Sequence, residues 1–252
     1  MPLHLRLLLP TLGLGLGAGL GFIQPAGLAA GLLFIALLLG ADKVLPERLW
    51  WCLSLFASIA LAAHLLPGFA PWSLSMPRQI SSDAAPYALR LSWDKLLVGL
   101  TLLAWWLGQP HTRAPRPQRA WAVALLTLAG IPLLALALGL VGWQPKWPEG
   151  VWLWLAVNLG VAVLAEELLF RGLLQTRLIG WLGIWPGVLL TALLFGAVHA
   201  PFSPLFAVVA GVAGLGYGLM FHYSGRLSLA IALHGAVNLL HLLLLSYPLR
   251  LS

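Results

Sequence analysis

Charge is what this sequence has least of. Only 8% of its 252 residues are Asp, Glu, Lys or Arg, whereas a soluble domain carries about a quarter. A chain so poor in charge cannot cover a water-facing surface of its own. There are seven acids in all. The single cysteine, Cys52, excludes disulfides within the chain and thiolate metal clusters; beside Trp51 in an apolar segment, it reads as packing. The zinc-protease arrangement His-Glu-x-x-His is absent. The net charge of +7 is spread singly between apolar runs, with no basic face or aromatic-interleaved strand, so no nucleic-acid partner is expected.

What fills the chain instead is apolar: 61% of the residues, with 13 Trp. Runs near 5–23, 26–40, 49–67, 95–108, 120–142, 151–170, 182–199, 203–222 and 227–246 approach the roughly 20 residues that cross a bilayer core. Indole rings suit its two water–lipid boundaries. The expected fold is all-α, a polytopic bundle of eight or nine spans with an intramembrane polar cavity, in contact with the lipid bilayer. The first run reads as a span rather than a cleaved signal, because further spans follow at once. The stretch Ala70 to Asp94 is the one loop long enough to fold outside the lipid.

With nine spans and the N-terminus inside, Arg6, Lys43, Arg48, Arg113, Arg116, Arg119, Arg171, Arg177 and Arg226 gather on the cytoplasmic side. Arg78, Arg90, Lys95, Lys146 and Arg250 gather on the other. That excess favours this orientation under the positive-inside rule. Glycines in the later runs, such as Gly214-xxx-Gly218, are expected to let helix backbones approach closely.

Five of the seven acids, Asp42, Glu47, Asp83, Asp94 and Glu149, fall in loops or at span edges. Only Glu166 and Glu167 lie inside an apolar helix, in Leu164-Ala-Glu-Glu-Leu-Leu-Phe-Arg171. A carboxylate in lipid costs several kcal/mol and so marks a functional cavity. Neighbours on a helix point about 100° apart, so the pair cannot serve one site identically. Glu167 stands four residues before Arg171, the favoured acid-before-base order. Glu167 is assigned to that structural pair and Glu166 to the cavity; spacing alone leaves the reverse open.

A second polar cluster follows. His199 closes Phe195-Gly-Ala-Val-His199, and His234-Gly-Ala-Val-Asn238 puts an imidazole and an amide one helical turn apart on one face. Imidazole carries a proton near neutral pH, and an amide can donate to a developing oxyanion.

Glu-Glu-x-x-x-Arg, Phe-x-x-x-His and His-x-x-x-Asn, in this order on successive apolar helices, resemble the CPBP family. These are the CAAX-prenyl-protease and bacteriocin-processing (Abi) intramembrane endopeptidases. The likeness runs from about Val151 to Leu245. It implies catalysis by Glu166, His199, His234 and Asn238, supported by Glu167, Arg171 and Phe195. The glutamate, helped by one histidine, would draw a proton from the attacking water, with Asn238 and the other histidine on the oxyanion. The substrate would be a membrane-associated peptide or protein. No cofactor is favoured; were zinc bound, Glu166, His199 and His234 would be its ligands.

Other membrane-protease types fit less well. Tyr223-Ser-Gly225 lacks the first glycine of a rhomboid-type serine loop, and no aspartate lies deep in a span. The chain divides by motif into 1–145, N-terminal helices, and 146–252, the catalytic core. His4, His64, His111, His222 and His241 are read as structural, with His241 three residues beyond Asn238 and bordering the cavity at most. Two rivals stand beside the protease: a catalytically silent scaffold or immunity protein, and a proton-coupled transporter using the same Glu and His groups. The leucine- and alanine-rich, lysine-poor composition points to a bacterial inner membrane. Oligomeric state is not legible.

Overall fold

The structure, a computed structural model, describes residues 2–110 and 115–251; His111 and Arg113 lie outside the described residues. Among those residues the helices are α1 (Leu3–Gly19), α2 (Pro25–Gly40), α3 (Glu47–Ala62), α4 (Trp93–Trp106) and α5 (Pro117–Ala137). They continue as α6 (Val151–Leu182), α7 (Ile184–Ala197), α8 (Pro204–Ser224) and α9 (Leu227–Leu244). Five helical stretches among the described residues are long and apolar enough to cross a membrane: Pro25–Lys43, Pro117–Ala137, Val151–Leu182, Pro204–Ser224 and Leu227–Leu244. The protein is an all-α membrane protein with transmembrane helices. A two-stranded antiparallel ribbon, β1 (Trp72–Ser73) and β2 (Arg90–Leu91), pairs Trp72 with Leu91 and Ser73 with Arg90. It folds the expected extramembrane loop without changing the class.

Two compact units emerge. The first comprises Met1–Ser75, Arg90–Pro110 and Val157–Leu169. In it α4 packs against α1, α2, α3 and the middle of α6. Gly99 of α4 faces Ala165 of α6, where a Cβ on the glycine would stand 3.6 Å from the alanine side chain. The rings of Phe22, Trp72 and Trp93 stack, with Trp72 and Trp93 within 4° of parallel.

The second unit comprises Met76–Leu89, His111–Ala156 and Phe170–Ser252. Its centre is α8, packed on α5, α7 and α9. Local sequence sets the bounds of α8. The Ser203 hydroxyl accepts from the Phe206 amide, Pro204 opens the helix, and Gly225 ends it in the left-handed conformation at φ 67°. Close approach of α7 and α8 depends on Gly196, whose added Cβ would stand 2.7 Å from the Ala207 carbonyl oxygen.

One boundary differs from the sequence reading. The sixth helix does not end near residue 170; it continues through Arg171 and Arg177 to Leu182, 32 residues in all. Arg171 does not stop it because its guanidinium is fully buried and docked inside the protein, not drawn to water. Gly183, at φ 88°, makes the stop. Within α6, the four residues Leu164–Glu167 are flanked by π-helical turns, Asn158–Val163 and Leu168–Gln175. Such widened turns recur at functional sites.

Candidate active site

In the first unit the carboxylate pair is separated as helical geometry requires. Glu167 is fully buried, while the Glu166 side chain keeps 18% of its surface exposed and accepts from Lys95 Nζ at 2.8 Å. Lys95, in the first turn of α4, was read from sequence as a topology charge. Next to it, Asp94 is buried and accepts from the Lys95 backbone amide and from His64 Nδ1, each at 2.8 Å.

In the second unit Phe195, His199, His234 and Asn238 line one cavity of about 100 Å³, room for several waters. Helix α7 ends at Ala197 and His199 sits on the turn that follows, lining the same cavity as residues of α9. His234 and Asn238 sit one turn apart on α9, and His241 continues that stripe into the cavity. The other walls are mainly apolar, from α5 (Ile131, Ala135) and α8 (Val209, Ala213).

Each imidazole is held. His199 Nδ1 is 2.7 Å from the Phe195 carbonyl oxygen. A carbonyl only accepts, so Nδ1 is the donor of this bond and Nε2 is left facing away from it. The His234 ring lies flat on Tyr217, centroids 4.4 Å apart, and edge-on to Phe195 at 5.8 Å. Behind these rings lies Arg171, its Cζ 4.6 Å from the Phe195 centroid and 5.4 Å from that of Tyr217, an arrangement in which ring faces attract the cation. Arg171 also donates to the Gly214 carbonyl at 2.8 Å, and Gln175 to that of Gly218 at 3.0 Å. Two side chains four apart on α6 thus dock on two carbonyls four apart on α8. The Gly214-xxx-Gly218 spacing gives the close packing expected of it and also this docking: a Cβ at Gly214 would stand 2.9 Å from the Phe195 ring, and one at Gly218 2.7 Å from Gln175 Oε1.

Loops bound one end of the cavity. Leu140, Val141, Leu245 and Leu249 line it, and Ser246 ties these segments together, donating to Asp83 Oδ2 and accepting from the Gly142 amide, each at 2.7 Å. Lys146 donates to the carbonyls of Gln144 and Leu245. Partial burial lowers its pKa below the ordinary lysine value, against the pull of Asp83. Tyr247 accepts from Trp154 Nε1 at 3.0 Å, and burial pushes its phenol well up.

Among the described residues no group of three His, Cys, Asp or Glu side chains is close enough to share a metal ion. Tyr217 and Lys95 were missed from sequence. Neither stands at a motif spacing, and each acts on a partner far along the chain.

Comparison with known proteins gives one family. Residues 148–240 match the family described as type II CAAX prenyl endopeptidase Rce1-like, a protease family. No curated protein and no solved structure gives a match. The matched segment contains Glu166, Glu167, Arg171, Phe195, His199, His234 and Asn238, and its family is the one that their spacing suggests. Over this segment the chain is similar to the CPBP family.

Proposed function

We propose that this protein is an intramembrane endopeptidase that hydrolyses a peptide bond in a membrane-associated protein or peptide. The observation that carries the reading is the gathering of His199, His234 and Asn238 on one cavity, within a segment that matches a protease family.

Glu166 acts as the base. It takes a proton from water, the resulting hydroxide oxygen bonds to the scissile carbonyl carbon, and that proton later goes to the leaving amine as the C–N bond breaks. His199, with Nδ1 donating to the Phe195 carbonyl, has Nε2 available to accept from the attacking water. Asn238 and His234 donate to the oxyanion; a single such donor contributes about 10²–10³ in kcat. The apolar walls limit water and accept an extended substrate backbone. The catalytic core is the segment 146–252, and the mechanism uses no metal.

The apolar helices serve as eight or nine spans, with the N-terminus on the cytoplasmic side of a bacterial plasma membrane. The substrate class is a membrane-associated chain that need not be prenylated. The test is cleavage of a library of membrane-anchored peptides by purified protein in liposomes, read by mass spectrometry. His234→Ala is expected to abolish cleavage and Asn238→Ala to reduce it about 10²–10³-fold. Wild-type rates in both variants would remove this reading.

A further inference from the structure

The N-terminal half of the chain carries no family motif, yet it holds the cation that meets Glu166. Lys95 Nζ lies 2.8 Å from Glu166 Oε1, across 71 residues of sequence. Both side chains are largely enclosed, 22% and 18% exposed. Long exposed ion pairs contribute little because they are solvated and mobile; a short enclosed one fixes the direction of both groups.

The surroundings keep this lysine for Glu166. The other carboxylate next to Lys95 is Asp94, its neighbour in sequence. On a helix the two side chains diverge by about 100°. Asp94 is already occupied, accepting from His64 Nδ1 and from the Lys95 amide, each at 2.8 Å. His64 reaches it from a left-handed turn, φ 60°, the one such non-glycine residue among those described. That conformation is uncommon outside glycine and is held only where its surroundings require it. Asp94 and Lys95 are the only ionisable side chains of α4, the helix packed against Leu164–Glu167. Gly99 and Ala165 keep the two backbones close enough for the lysine to reach.

We infer that Lys95 is the positioning residue for the base: its side chain holds the Glu166 carboxylate aimed, while the His64–Asp94 pair keeps the first turn of α4 in place. This rests on the endopeptidase reading for its consequence, but the ion pair stands without it. A helix of the N-terminal half therefore carries the residue that aims the proposed base.

The test uses the full-length protein in detergent and has two readouts. The first is melting of Lys95→Met, Glu166→Gln and the double variant. The expected result is coupling, with the double variant melting no lower than the worse single one; strictly additive losses would overturn the pair. The second is steady-state cleavage of a membrane-anchored peptide from the library. Lys95→Met is expected to lower kcat about 100-fold with KM unchanged, the scale of a misaimed reacting group. Lys95→Arg, which keeps the charge, is expected to stay within about tenfold of wild type. Coupling in melting with an unchanged kcat would overturn the positioning role and leave a structural pair. Equal loss in Lys95→Arg and Lys95→Met, with all variants folded, would overturn the charge as its cause. If the wild type cleaves no peptide, the endopeptidase reading fails and the positioning role with it, while coupling in melting still reports the pair.

Discussion

The imidazole of His234 lies face to face with the phenol ring of Tyr217, their centroids 4.4 Å apart and their planes within 14°. Tyr217 is itself almost fully buried, with the Arg171 guanidinium 5.4 Å from its centroid. An aromatic pair of this kind contributes about 0.5–1.5 kcal/mol beyond area burial, and here it fixes the plane of a proposed catalytic ring. Tyr217→Leu is expected to lower turnover at least tenfold, since ~1.4 kcal/mol corresponds to a factor of ten. Tyr217→Phe keeps the stack and is expected to retain most activity. Steady-state cleavage by the two variants checks this; equal activity in both would remove the stack from the site.

Arg171 gives a test of geometry against charge. Its fork reaches the Gly214 carbonyl while its plane meets the Phe195 and Tyr217 rings. Lysine supplies a point charge without that planar fork. Arg171→Lys is therefore expected to lose about 1.5–3 kcal/mol, the range for hydrogen bonds to charged groups. Denaturant titration of the purified variant reads it, and wild-type stability in Arg171→Lys would show that charge alone suffices.

Close packing of α7 on α8 gives a third prediction. At Gly196 an added Cβ would meet backbone rather than a flexible side chain: the Ala207 carbonyl oxygen at 2.7 Å and Gly211 Cα at 3.0 Å. Gly196→Ala is expected to cost about 1–3 kcal/mol, the usual penalty of overpacking. Gly160, which has open space around its Cβ position, serves as the control, and Gly160→Ala is expected to melt no lower than wild type.

Much of this site was legible in the sequence, for reasons that can be stated residue by residue. His234 and Asn238 are four apart, so any helix puts them on one face. Glu166 and Glu167 are adjacent, so any helix turns them apart, and they differ in burial as that requires. What was not legible depends on contacts distant in sequence. Lys95 looked like a topology charge because nothing in its neighbourhood announces Glu166. The apolar run put the end of α6 near residue 170 and Arg171 on the cytoplasmic side, whereas aromatic rings and a helix carbonyl enclose that guanidinium. His241 borders the cavity, though no motif claims it.

A pH effect follows from Lys146, in the loop beyond α5. Its folded pKa lies below the ordinary 10.5, so the folded state holds this proton less tightly than the unfolded chain. Stability from this group is therefore full above 10.5 and is lost as pH falls through the lowered folded value. Melting temperature measured as pH is raised toward 10.5 is expected to rise in wild type relative to Lys146→Met. A constant difference between the two across that window would contradict the burial of this ammonium.

The most direct test of the central claim is cleavage of membrane-anchored peptides by wild type and by Glu166→Ala, each with and without a zinc chelator. The account predicts that wild type cuts with or without chelator and that Glu166→Ala does not cut. Equal cleavage by both proteins would contradict Glu166 as the base, and cleavage abolished by chelator and restored by zinc would contradict the metal-free mechanism.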